Sequence, residues 1–131
     1  MSAPIVRVGD VMKKEVLSID GMATASDAAA MMRTARVSEL LVARRNDDDA
    51  WGMVTITDLV KKVIVPGLDG KDVSIYEIMT KPIITVPAKM DIRHAIRLMN
   101  RTSVRSAPVE DLGEVVGVVT LSSLVLDNNL L

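Results

Sequence analysis

The chain has 131 residues, 49% of them hydrophobic and 25% charged, with a net charge of −1. That suits one domain with a proper core, about two-thirds of its unfolded surface buried, and excludes a disordered chain. The charge balance gives no general field for nucleic acid or an anionic membrane, and zero cysteines exclude disulfides and thiolate metal sites.

From the start, Met1-Ser2-Ala3-Pro4-Ile5 lacks the basic-then-apolar layout of a signal peptide, and no apolar run approaches a membrane span. Cytoplasm is the expected location. Val16-Leu17-Ser18-Ile19 suits a short buried strand. Thr24-Ala25-Ser26-Asp27 offers a helix cap, and Ala28, Met31, Met32 and Ala35 follow as one apolar stripe. Leu40 to Ala43 reads as the second strand, Asn46 to Asp49 as a solvated turn, and Trp51 to Thr55 as the third strand. Thr57-Asp58 is expected to open a helix through about Val65, which Pro66-Gly67-Leu68-Asp69-Gly70 ends. Ser74 to Glu77 has capping-box spacing for a short helical turn. Ile83 to Val86 reads as a strand. Asp91 caps a helix whose Ile92, Ala95, Ile96 and Met99 form a second stripe. Ala107-Pro108-Val109 and Val115 to Thr120 are the last strands, with Ser122 or Ser123 capping the final helix.

The second half of that order repeats the first. Met12 to Ile19 parallels Met79 to Val86 at an offset of 67, which still holds at Ala28/Ala95, Met32/Met99, Val37/Val104 and Val42/Val109. At Gly52/Gly117 it falls to 65, so the first copy has two extra residues around Asn46 to Asp49. Repeat one spans 5–66, a connector 67–74 and repeat two 75–128. The predicted fold is α/β with mixed sheets: two βαββα copies packed face to face about a pseudo-twofold axis, since so small a unit cannot cover its own sheet.

The doubled Met-x-Lys and short strand, Val104-Arg105-Ser106-Ala107-Pro108-Val109, and Gly-x-x-Thr-x-x-Asp at Gly52 to Asp58 carry a family likeness. Over about residues 5–128 the chain resembles a pair of cystathionine β-synthase (CBS) domains, a Bateman module. The resemblance implies a regulatory, energy-sensing module that binds AMP, ADP, ATP or S-adenosylmethionine in the cleft between repeats. It implies no catalytic centre, and dimerisation of two pairs into a disc of four CBS repeats.

One position separates the copies chemically: Asp58 in the first stands where Ser123 stands in the second. A carboxylate can accept both hydroxyl protons of a ribose diol, and hydrogen bonds to a charged group contribute about 1.5–3 kcal/mol each. Asp58 is therefore the leading ligand residue, with Thr55 and Thr57 supporting it. Plain N-capping would also use these residue types, although Ser122 and Ser123 can cap without a carboxylate. By the resemblance, Ile83 and Ile84 meet the adenine, Val104 packs on the base and Met53 closes the pocket. Arg105 holds the family's phosphate-contact position. Ser106 follows where a second basic residue is common, so the order is AMP, then ADP or ATP, with S-adenosylmethionine behind. Lys81 is a weaker phosphate candidate. A weaker or empty pseudo-symmetric site would use Thr120, Ser123, Val16, Leu17 and Val37.

Other features read blandly. The nine methionines are core filler in a chain without Phe. Arg93, Arg97 and Arg101 form a solvated helix face. His94 has no partner spacing for metal or catalysis, and Asp47-Asp48-Asp49 cannot converge like a calcium loop. No nucleophile–base pair argues for an enzyme. Two aromatic residues, Trp51 and Tyr76, give nucleic acid little to stack on. The expected function is an adenine-nucleotide sensor acting on an unnamed effector protein. The alternative is a ligand-free module that only mediates dimerisation or docking.

Overall fold

The computed structural model describes residues 4–81 and 83–131; Met1 to Ala3, read above for a leader, and Pro82 lie outside the described residues. In chain order the elements are α1 (Val8–Val11), β1 (Ser18–Ile19), α2 (Ala25–Ala35), β2 (Glu39–Val42), β3 (Gly52–Thr55) and α3 (Ile56–Leu59). A π-helical turn, Val60–Ile64, continues α3, and a 3-10 turn, Gly70–Asp72, precedes α4 (Ile75–Ile78). Then come β4 (Val86–Pro87), α5 (Ile92–Arg101), β5 (Ser106–Asp111), β6 (Glu114–Thr120) and α6 (Leu121–Leu126). The fold is α/β with the repeated strand, helix, strand, strand, helix order.

Both copies build the same three-stranded mixed sheet, β1-β2-β3 and β4-β5-β6. The offsets in the sequence reappear as pairing register. Ile19 lies opposite Val42 in a parallel pair, and Val86 opposite Val109. Val42 faces Gly52 across an antiparallel pair, as Val109 faces Gly117. The extra residues of the first copy lengthen its β2–β3 loop. The second copy turns tightly instead, through Leu112 (φ 51°) and Gly113 (φ 83°).

The chain forms two compact units, one of Leu17–Ile83 and one of the residues up to Val16 with Ile84–Leu131. Each has its own core. The first gathers Ile19, Met32, Leu40, Val54, Ile75 and Ile78 among others, and the second Val8, Val86, Ile92, Met99, Val109 and Leu124. At roughly 1.5–3 kcal/mol per fully buried large side chain, such clusters dominate the stability of each unit.

The unit boundaries differ from the repeat boundaries because the lead-in segments change sheets. Lys13, ahead of the first repeat's strand, exchanges both backbone hydrogen bonds with Val118 on β6 (2.9 and 2.8 Å). Thr80, ahead of the second repeat's strand, does the same with Met53 on β3 (2.9 and 2.8 Å). This explains the repeated glycine. A Cβ on Gly117 would sit 2.5 Å from Met12 Sδ and 2.7 Å from the Lys13 carbonyl oxygen, and one on Gly52 2.9 Å from Met79 Sδ. Only a residue without a side chain lets the lead-in cross so closely.

Four expectations need correcting. The helix after β3 is capped by Thr55, not opened at Thr57, and Asp58 is its third residue. The last helix is capped by Thr120, not by Ser122 or Ser123. Ser74 makes no side-chain cap bond; the first amides of α4, at Ile75 and Tyr76, donate instead to the carbonyls of Ala23 and Gly21 at 2.9 and 3.0 Å. The first strand of each copy is also shorter than expected, Ser18–Ile19 and Val86–Pro87, so Val16, Leu17, Ile83 and Ile84 lie ahead of the ladder.

Candidate functional site

Asp58 is 7% exposed, the one buried polar or charged residue among the described residues. A carboxylate is rarely buried unless paired, and this one is paired on both oxygens. Oδ2 accepts the Thr55 amide at 2.9 Å and the Thr55 hydroxyl at 3.2 Å, while the Asp58 amide donates to Thr55 Oγ1 at 3.2 Å. Oδ1 lies 3.3 Å from Lys62 Nζ, one helical turn on. Lys62 also donates to the Ile78 carbonyl at 2.8 Å, tying the helix to the end of α4. The arrangement is a complete capping box closed by an ion pair.

The equivalent joint of the second copy keeps the threonine and loses the charge. Thr120 Oγ1 accepts the Ser123 amide at 3.2 Å, the same length as in the first copy. The Ser123 hydroxyl donates to Asp127 at 3.0 Å. Thr–amide capping therefore works with or without a carboxylate three residues on.

The other expected site residues divide between the units. With Asp58 in the first unit are Thr55, exposed Thr57, buried Met53, and half-buried Leu17, Val37 and Ile83. Met53 lies on β3 two residues before Thr55, and its neighbour across the ladder, Leu41, donates to the Leu17 carbonyl at 3.0 Å. The second unit holds Val16, Ile84, Val104, Arg105 and Ser106 with Thr120 and Ser123. Within it, Ser106 pairs with Thr120, and the Arg105 carbonyl accepts the first amide of α6 at 2.8 Å. Arg105 is exposed and Ile84 is 39% exposed. Arg93, His94, Arg97 and Arg101 are exposed on α5, as expected of a solvated face.

A second charged cluster corrects the reading of the Asn46–Asp49 turn as wholly solvated. The Asp49 side chain is 9% exposed and pairs with Lys81 and, at 3.3 Å, with Arg45. The Lys81 ammonium, with the Arg45 amide and side chain, holds the Asp49 carboxyl well below the usual carboxylate range. Lys81, considered for phosphate, is thereby engaged within its own unit. The neighbouring arginines stack on the aromatics, Arg44 over Trp51 at 4.6 Å and Arg45 over Tyr76 at 5.6 Å. Sequence reasoning missed Lys62, although its i, i+4 spacing from Asp58 on an expected helix was a usable signal. No spacing rule could have joined Asp49 to Lys81.

Comparison with known proteins places these joints in a family. The CBS domain model matches twice, at 8–65 and 75–126, and the chain belongs to that family. It is 31% identical over 92% of its length to an uncharacterised protein of Methanopyrus kandleri. It is 30% identical over 90% of its length to a mitochondrial CBS domain-containing protein of Arabidopsis thaliana. The chain spans about three-fifths of these relatives, 61% and 62%. A hexameric CBS-CP12 protein from bloom-forming cyanobacteria superposes with a TM-score of 0.90 at 31% identity, over 98% of this chain and 75% of that one. The protein is thus a tandem CBS pair, of a kind that generally serves regulation. No helix among the described residues is long and apolar enough to cross a membrane.

Proposed function

We propose that this CBS pair is a sensor that binds an adenine nucleotide with its ribose on Asp58, and that binding shifts its association with itself or an effector. AMP is the favoured ligand, ADP and ATP follow, and S-adenosylmethionine comes last. The observation that carries this is the burial of one carboxylate at Asp58, when the equivalent Thr120 cap is equally short over a neutral Ser123. Burying a charge is costly, and a cap alone does not require it. Arg105 is the proposed phosphate contact, with Met53, Ile83, Ile84 and Val104 lining the base.

A second reading rests on the same atoms: the finished capping box and the Lys62 pair give Asp58 a structural duty. The pair would then be an interaction module without ligand. Ile56, Val60 and Ile64 are 45%, 40% and 68% exposed at four-residue spacing, an apolar stripe suited to a second copy. We propose that stripe as the homodimer contact under either reading.

Isothermal titration with AMP, ADP, ATP and S-adenosylmethionine separates the two. Asp58→Asn is the informative partner variant, because its amide oxygen can still accept the Thr55 amide while the charge is gone. Binding to wild type that Asp58→Asn loses supports the sensor. No heat with any ligand leaves the interaction module, and sedimentation of Ile64→Asp then tests the stripe.

A further inference from the structure

The Asp58 carboxylate has room for about four hydrogen bonds. Two hydrogen bonds, from the Thr55 amide and the Thr55 hydroxyl, already fill Oδ2, and the Lys62 ammonium stands 3.3 Å from Oδ1 as an ion pair. A ribose cis-diol needs the two positions left on Oδ1, the oxygen that the ammonium faces, so one of the groups around the carboxylate must yield. The Thr55 amide, at 2.9 Å, is a helix-start donor with no other acceptor assigned. The Thr55 hydroxyl is part-buried and bound at both ends of the cap. Lys62 has the longest contact, 3.3 Å, and its side chain is 44% exposed. Released from Asp58, it keeps the Ile78 carbonyl and gains water.

We infer that Lys62 is a positioning residue that competes with the ribose diol for Asp58 Oδ1, and that diol binding displaces it. This rests on the nucleotide reading above and extends it to specificity. A ligand offering a single hydroxyl can take one Oδ1 position without moving Lys62. A diol must first break the pair. Lys62 therefore narrows the advantage of a ribose over a deoxyribose, and removing it should widen that advantage.

The test compares adenosine with 2′-deoxyadenosine, which carry no phosphate to attract the ammonium. Calorimetry on wild type and Lys62→Met should find adenosine bound about two- to fivefold more tightly by the variant, the worth of an i, i+4 ion pair with a half-exposed lysine. Affinity for 2′-deoxyadenosine should not change. Lys62→Gln, which retains a neutral donor for the Ile78 carbonyl, should behave the same way and guards against a folding defect in Lys62→Met. Unchanged adenosine affinity in both variants, or an equal change for both nucleosides, overturns the competition while leaving Asp58 as the ribose site. Failure of wild type and both variants to bind either nucleoside overturns the nucleotide reading and this inference with it.

Discussion

The joints at Thr55–Asp58 and Thr120–Ser123 share a register, a strand, a capping threonine and a cap bond of 3.2 Å. They diverge at the third helical residue and again one turn later, where Asp58 and Lys62 in the first copy become Ser123 and Asp127 in the second. The cap fixes where the helix begins, and that leaves the next turn free to differ in charge. One copy uses that freedom for an ion pair between a buried carboxylate and a half-exposed lysine, the other for a neutral hydroxyl bonded to an exposed carboxylate. Geometry was held in common while chemistry was allowed to separate.

The largest way to break the comparison is through the glycines that both joints depend on. Gly117→Ala should cost about 2–3 kcal/mol, since a backbone carbonyl 2.7 Å from the new Cβ cannot step aside. Gly52→Ala should cost about 1 kcal/mol, because its nearest obstacle is the flexible end of Met79. Urea denaturation reads both, and equal losses would contradict the difference in clearance. Next, Asp58→Ala should weaken adenosine binding by about 1.5–3 kcal/mol and remove about 1 kcal/mol of stability through the lost capping box. A stability loss without a binding loss would leave Asp58 as a cap alone.

Transplanting the joint sharpens the contrast. Ser123→Asp by itself faces Asp127 at i, i+4, and should destabilise by about 0.2–0.5 kcal/mol. With Asp127→Lys added, the sign should reverse, which a double-mutant cycle in urea would detect. Acid acts on the first copy, at the α2 cap, where the Thr24 hydrogen bonds lower the pKa of the Asp27 carboxyl, and more strongly in the β2–β3 loop. The Asp49 carboxyl is depressed in the folded protein, so between its folded value and about 4 the unfolded chain binds more protons. The stabilisation is fully present above about pH 4 and is lost as pH falls below it. Asp49→Asn should flatten the stability profile in that acid range. Smallest of all, Ser123→Ala should change stability by less than about 0.5 kcal/mol.

Much of this was legible in the sequence because repetition supplies its own control. The offsets of 67 and 65 survived as strand registers, and Thr24 and Asp91 cap the helices they were expected to cap. The caps that misled are those where serine or threonine recurs within three residues, Thr55 against Thr57 and Thr120 against Ser122 and Ser123. Residue type alone cannot say which of several hydroxyls leaves the strand first. The Ser74 cap failed for a different reason: backbone carbonyls from another loop reached the amides first, a tertiary contact that no local pattern records. The same limit hid the Asp49–Lys81 pair and the sheet exchange of the lead-ins. Each depends on residues more than 25 positions apart.

The exchange of lead-ins, Lys13 onto β6 and Thr80 onto β3, crosses the chain between the two units. Cutting the connector near Gly67 would not yield two independent halves, since each would lack the lead-in segment that bridges to its sheet. A tug on the chain ahead of Arg7 would be felt first at the start of α5, through Val6 and Val8, and then at β6 through Lys13. Pulling at the connector would load the start of α2 first, through Val73 and Ala25, and then β3 through Thr80. Sequence neighbourhood and mechanical neighbourhood are crossed in this molecule, so a domain tethered at one end would report on the repeat written at the other.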